Sequence, residues 1–289
     1  MYPEVRKAVA AEVPTDFRAP GFDIEAYRRQ VRAFNATQPR EDVAQVEDLD
    51  ADGVPVRLYT PADARDGLIV HAHGGGFVFN DIDVHDGLVR RLANRSRRRV
   101  LSVAYRKPPE HKFPAAPDDL DTVIGLLGRQ DLLGMWAIHG DSAGANLALV
   151  AALRNPGVFS AVALVYPFLD PRAGFASYDV GKESGFDASE ATWYWEQYAR
   201  DESDYDDPDF APLLSDRLHT LPPTFISTAE FDPLRDEGEE LARRIAETGV
   251  PTVGVRCLGQ THGFYRHATF TASEPHVRQV AAFLDQHLS

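Results

Sequence analysis

Cysteine is almost absent from this chain. Cys257 is the only one, so no intramolecular disulfide can form and nothing points to an oxidising compartment. Positive charge is scarce as well. With 30 Lys and Arg against 44 Asp and Glu, the formal charge is −14. That balance argues against nucleic acid or an anionic membrane surface as partner, because phosphate binding relies on clustered cations. The densest basic run, Arg95 to Arg99, reads as a solvated helix end. Long apolar runs are missing: no stretch of the chain approaches the roughly 20 apolar residues that span a bilayer. Met1 to Phe17 mixes charges and prolines, without an apolar run of signal-peptide length. A cytoplasmic protein is the expectation.

There is also no internal repeat, no low-complexity linker and no break in composition, so the 289 residues are read as one domain, 1–289, with accessory cap elements. Hydrophobic residues at 44% and charged residues at 26% suit a folded globular chain with a substantial core. A hairpin is predicted from Val43–Leu49 and Val54–Tyr59, turning at Asp52-Gly53. Strand and helix patterns then alternate. Strands are predicted at Leu68–His73, Val100–Ala104, Met135–Gly140, Ala161–Tyr166, Thr224–Ala229 and Thr252–Leu258. Helices are predicted at Val84–Ser96, Pro117–Gly128, Ala143–Arg154, Arg235–Thr248 and Glu274–His287. That rhythm implies an α/β fold with a mostly parallel sheet of about eight strands and helices on both faces. The span Asp170 to Pro222 interrupts it with an aromatic helix candidate, Trp193–Tyr198, and an acidic run, Asp201–Asp209. A structureless connection of that length is unusual, so this span and residues 1–42, with helical spacing around Ile24–Phe34, are read as a small helical cap.

Within this frame, Gly140-Asp141-Ser142-Ala143-Gly144 joins an apolar strand to an alanine-rich helix. A serine at such a sharp turn stands proud of the sheet, and the flanking glycines avoid neighbouring backbone. Chance supplies this spacing easily, so its context decides. His73-Gly74-Gly75-Gly76-Phe77, at a strand end, is far rarer, and its glycines let amide N–H groups converge on an anion. Asp232 opens a helix after another strand, and His262 lies in a glycine-containing loop after the last. Ser142, Asp232 and His262 therefore share the C-terminal edge of the sheet, where open parallel sheets place their sites. His71 and His73, two apart on one strand, lack an evident acidic or sulfur partner, so no metal is expected. Cys257 reads as a small buried residue rather than a second nucleophile.

The segments His73–Gly76, Gly140–Gly144, Asp232–Glu237, Thr261–Phe264 and Tyr105–Ala116 resemble the hormone-sensitive-lipase-like carboxylesterases of the α/β-hydrolase fold. The resemblance runs from about Val54 to the C-terminus. Ala145 and Pro109 depart from the family's usual glycine and alanine, away from the chemistry.

The resemblance implies a serine carboxylesterase for short-chain acyl esters, without a cofactor. Ser142 would be the nucleophile, His262 the general base and then acid, and Asp232 the group orienting His262. Backbone N–H groups of Gly74, Gly75 and Ala143 would stabilise the oxyanion. Asp141 reads as a structural neighbour that fixes nearby backbone. Phe77, Trp193, Trp195 and Phe264 are the aromatic candidates for the acyl and alcohol pockets, although aromatic stripes more often belong to a core. The expected partner is a small-molecule ester, with neither nucleic acid nor membrane, and a homodimer is plausible from the resemblance. Amide hydrolysis on the same groups, or a small-molecule receptor that kept the fold and lost the chemistry, are the alternatives.

Overall fold

The computed structural model describes residues 1–11, 15–130, 134–180 and 184–289. Residues 12–14 and 181–183 of the expected cap lie outside the described residues. In chain order the elements are α1 (Pro3–Ala11), α2 (Ile24–Ala36), β1 (Gln45–Ala51), β2 (Val54–Thr60), β3 (Arg65–Ala72), α3 (Ile82–Ser96) and β4 (Arg98–Val103). They continue with α4 (Ala115–Gln130), β5 (Trp136–Asp141), α5 (Ala143–Arg154), β6 (Phe159–Val165), α6 (Ser177–Val180) and α7 (Ala188–Tyr198). β7 (Thr224–Phe231), α8 (Arg235–Glu247), β8 (Thr252–Thr261) and α9 (Ser273–His287) complete them, with short 3-10 turns between.

The eight strands form one sheet in the order β1-β2-β4-β3-β5-β6-β7-β8. The hairpin β1-β2 is antiparallel, as is β2 to β4, and every later pairing is parallel. Alternate residues of the central strands feed two cores. Val70, Ile138, Val162 and Leu164 pack with α4, α5 and α8. Ile69, Ala137, Ala161 and Ala163 pack with α1, α3 and α9 on the other face. Covered on both sides, these strands read as continuous apolar runs instead of alternating ones. Helix α5 is buried along Ala143–Leu153, which is why its sequence is apolar all round.

Several boundaries moved for identifiable reasons. β8 continues through Thr261, past its expected end at Leu258. Its register shifts near Gly259, whose left-handed backbone admits the irregularity, and pairing resumes with Phe231 opposite Thr261. The aromatic helix starts earlier than expected because Asp187 caps α7 by accepting from Glu190 N–H. The Arg95–Arg99 run is not simply solvated. Arg95 pairs with Glu41 and Glu274, and the buried Arg98 side chain pairs with Asp285. Cys257 is partly buried on β8, its sulfur 3.6 Å from His276 Nδ1, and burial pushes the thiol up to about 12. Among the described residues, no helix is long and apolar enough to cross a membrane.

Helix α2 is anchored across the C-terminal edge of the sheet. The buried Arg28 donates from Nε to the Val78 carbonyl at 2.8 Å and from a terminal nitrogen to the Pro108 carbonyl at 2.6 Å. One charged side chain thereby ties α2 to the loop that follows the glycine triplet.

Candidate active site

Ser142 sits between β5 and α5 with φ 56° and ψ −124°, a conformation that costs a non-glycine residue of order 1–3 kcal/mol and is kept only where the surroundings enforce it. They do so here by contact. A Cβ on Gly140 would overlap the Gly144 carbonyl, and one on Gly144 would overlap the Ala72 carbonyl of the neighbouring strand. The Ser142 carbonyl then accepts from Ala145 N–H at 2.9 Å, which starts the helix. Buried Asn146, one turn in, ties α5 to the Phe168 and Phe210 carbonyls at 2.9 and 3.2 Å.

Asp232 follows β7 directly and His262 follows β8 directly, as Ser142 follows β5. The parallel pairings set these strand ends side by side. His262 Nε2 lies 2.9 Å from Ser142 Oγ, and His262 Nδ1 lies 2.9 Å from Asp232 Oδ2. Asp232 is fully buried and its other oxygen accepts from Leu234 N–H at 2.9 Å. Tyr166 and Phe186 flank the imidazole, with ring centroids at 4.6 and 4.9 Å. The three residues named from the sequence are thus brought into one hydrogen-bonded line.

The glycine loop differs from expectation at one position. Gly74 N–H donates to Asp141 Oδ1 at 3.0 Å, so it is not available to a substrate oxygen. Gly75 and Gly76 line the cavity instead, both with positive φ. Among the described residues their N–H groups and that of Ala143 have no acceptor. The loop is held from behind. Tyr105 Oη donates to the His73 carbonyl at 2.6 Å, and the Gly75 carbonyl accepts from Val78 and Phe79 N–H at 3.0 and 2.9 Å. A Cβ on Gly76 would overlap the Tyr194 ring.

Asp141 also accepts from Tyr166 Oη at 3.3 Å, and burial raises its carboxyl above the ordinary aspartate value. It contacts His85 at 3.4 Å, and His85 meets His71, which meets His139 at 2.9 Å. His71 therefore has an acidic neighbour that its sequence surroundings do not reveal: donor atoms of His71, His85 and Asp141 lie within 4.8 Å of one another. Burial drives the imidazoles toward neutrality, pulling His71 down to about 3 and His85 and His139 well below the usual histidine range. Neutral imidazoles can donate and accept along such a stack.

Above Ser142 lies a cavity of about 370 Å³. Its roof combines Tyr27, Val31 and Asn35 of α2 with Phe186, Glu190 and Tyr194. The four aromatics expected there are elsewhere. Phe77 turns down into the core through its positive φ and stacks on Tyr198 at 3.9 Å. Trp195 packs beside it, Trp193 packs on Phe79, and Phe264 is buried edge-on beneath Tyr166. On α7 the cavity takes the residues four apart, Glu190 and Tyr194, so Trp193 and Trp195 fall on its buried side. The same helical spacing relates Tyr27, Val31 and Asn35. That periodicity was the signal available in the sequence.

A model of the α/β-hydrolase fold family matches residues 69–266, a span that contains the glycine loop, Ser142, Asp232 and His262. The chain belongs to the hormone-sensitive-lipase-like carboxylic ester hydrolases. An arylesterase of Saccharolobus solfataricus is 34% identical to this esterase-family chain over 259 residues, covering 84% of it and 85% of the relative. An ethyl acetate hydrolase of Pseudomonas putida is 34% identical over 256 residues, 83% of this chain and 80% of that one. An esterase of Pyrobaculum calidifontis has a solved structure that superposes with a TM-score of 0.90 at 33% identity, covering 100% of both chains.

Proposed function

We propose that this esterase-family chain hydrolyses small, short-chain acyl esters through an acyl-enzyme on Ser142. The observation that carries the reading is the line from Ser142 Oγ through His262 to Asp232, with both contacts at 2.9 Å. A serine hydroxyl needs a base within hydrogen-bond reach to attack at neutral pH. His262 Nε2 takes the Ser142 proton as Oγ bonds to the ester carbonyl carbon, and Asp232 holds Nδ1–H and stabilises the imidazolium. The carbonyl oxygen becomes an anion. Its donors are the amides of Gly75, Gly76 and Ala143, replacing Gly74 in the expected set because Asp141 already occupies the Gly74 N–H. Collapse of the tetrahedral intermediate breaks the bond to the alcohol oxygen, which takes the proton from His262. A water molecule, deprotonated by the same imidazole, then frees the acid and regenerates Ser142. A cavity of about 370 Å³ favours short acyl chains.

Labelling with a fluorophosphonate probe, together with p-nitrophenyl esters from acetyl to palmitoyl, tests this. The expected result is labelling that is lost in Ser142→Ala and a rate that peaks on the shortest chains. Absence of labelling at Ser142 sinks the mechanism, and a rate that peaks on palmitoyl sinks the chain-length claim.

A further inference from the structure

Besides Asp141, whose carboxylate is tied to Gly74 N–H, Tyr166 Oη and His85, the cavity wall carries the charged side chains Glu190 and Arg266, and these two differ in their surroundings. The Glu190 carboxylate is engaged, accepting from Tyr194 Oη at 3.0 Å. Arg266 ends the 3-10 turn Phe264–Arg266, four residues after His262, and is half-buried. Among the described residues its guanidinium makes no hydrogen bond and no ion pair. By contrast, Arg57, Arg91, Arg95, Arg98 and Arg154, also half-buried or buried, are bonded to carboxylates, a hydroxyl or carbonyls. A guanidinium without a partner on the wall of a ligand cavity is a ready site for an oxyanion, which it binds with two parallel N–H donors.

The position of this cation narrows what it could hold. A Cβ on Gly263 would stand 3.9 Å from an Arg266 terminal nitrogen, which puts the charge on the His262 side of the cavity. Its field extends across the site. Burial is the main influence on Asp141, Tyr166 and Tyr194, raising all three, and the Arg266 charge opposes that rise at each. His262 delivers a proton to the departing alcohol oxygen, so the alcohol portion of the ester lies toward this same side.

We infer that Arg266 forms a carboxylate subsite, and that the preferred substrates are esters whose alcohol portion carries a carboxylate. This rests on the proposed ester hydrolysis at Ser142. The chain's net charge of −14 gives an anionic substrate no long-range attraction, so the selectivity is local and appears in KM.

The test compares 4-acetoxybenzoate with its methyl ester, which differ in one charge on the leaving group. For the unaltered protein, KM is expected to be about tenfold lower for the anion, the size of one charge-assisted hydrogen-bonded contact. Arg266→Gln should abolish that ratio through KM while the two kcat values move together, and Arg266→Lys should restore part of it. The ratio between variants cancels the intrinsic reactivity of the two esters. A second arm places the carboxylate on the acyl side, as in 4-nitrophenyl hemisuccinate against 4-nitrophenyl methyl succinate, where no preference is expected. Equal KM values for the first pair, a preference that survives Arg266→Gln, or a preference confined to the acyl arm would overturn the inference. Hydrolysis of the neutral esters with fluorophosphonate labelling intact then leaves the proposed function standing. Loss of labelling and of all hydrolysis brings down the function itself, and the two failures are thereby distinguished.

Discussion

Two regions meet at Ser142 and are constructed differently. Along the sheet edge, Ser142, Asp232 and His262 each directly follow a strand, and their neighbours are backbone atoms: the Gly144 and Ala72 carbonyls pressing on Gly140 and Gly144, and the Leu234 amide on Asp232. The roof comes from two segments far apart in sequence, α2 and α7, and is made of side-chain faces: Tyr27, Val31 and Asn35 opposite Glu190 and Tyr194. At the edge, a displaced backbone would move Ser142, His262 and Asp232 out of their hydrogen-bonded line. The roof can exchange side chains and alter only which ester fits.

The comparison can be broken most decisively at the edge. Ser142→Ala is expected to lower kcat by at least about 10⁴-fold and to leave the thermal melt near its original temperature, because alanine keeps the same backbone conformation and loses only the Oγ contact to His262. Stopped assays and calorimetry on one preparation check both. Retained turnover would mean that another group performs the chemistry.

At the roof, Tyr194→Ala should act on selectivity. Removing the ring that closes over Gly76 opens the cavity, so the preferred acyl chain should lengthen and KM for the acetyl ester should rise by roughly three- to tenfold. A kcat loss as large as that of Ser142→Ala would show that the roof shares the edge's constraint.

The smallest effect is expected behind the edge, in the histidine stack. His71 is held neutral by burial, down to about 3, against an unfolded value of about 6.5. Because its folded value is depressed, its contribution to stability is present above pH 6.5 and declines as pH falls toward 3. The melting temperature should therefore fall between pH 7 and pH 5, and the decline should be shallower in His71→Phe. Parallel profiles for the two proteins would remove His71 from the account.

How much was legible beforehand follows the same division. The strand order of events at the edge could be read because glycine spacing and strand-end position are local properties, and each of Ser142, Asp232 and His262 announces itself beside a turn. Gly74 was misassigned because the acceptor that occupies its amide, Asp141, is 67 residues away. Phe77, Trp193, Trp195 and Phe264 were candidates for the pocket because aromatic content was weighed without helical phase, and only the packing of α7 shows which of its faces turns inward. The same limit hid Arg266, whose lack of a partner is a property of its surroundings.

By itself, then, the sequence determined the α/β architecture, the strand ends and the identity of the three residues aligned there, because backbone sterics and apolar periodicity act over a few residues. Tertiary structure alone decided which amides remain free, which carboxylate stands beside His71, and which side chains close the cavity. Those depend on distant segments arriving at one place, and no local pattern encodes the distance between them.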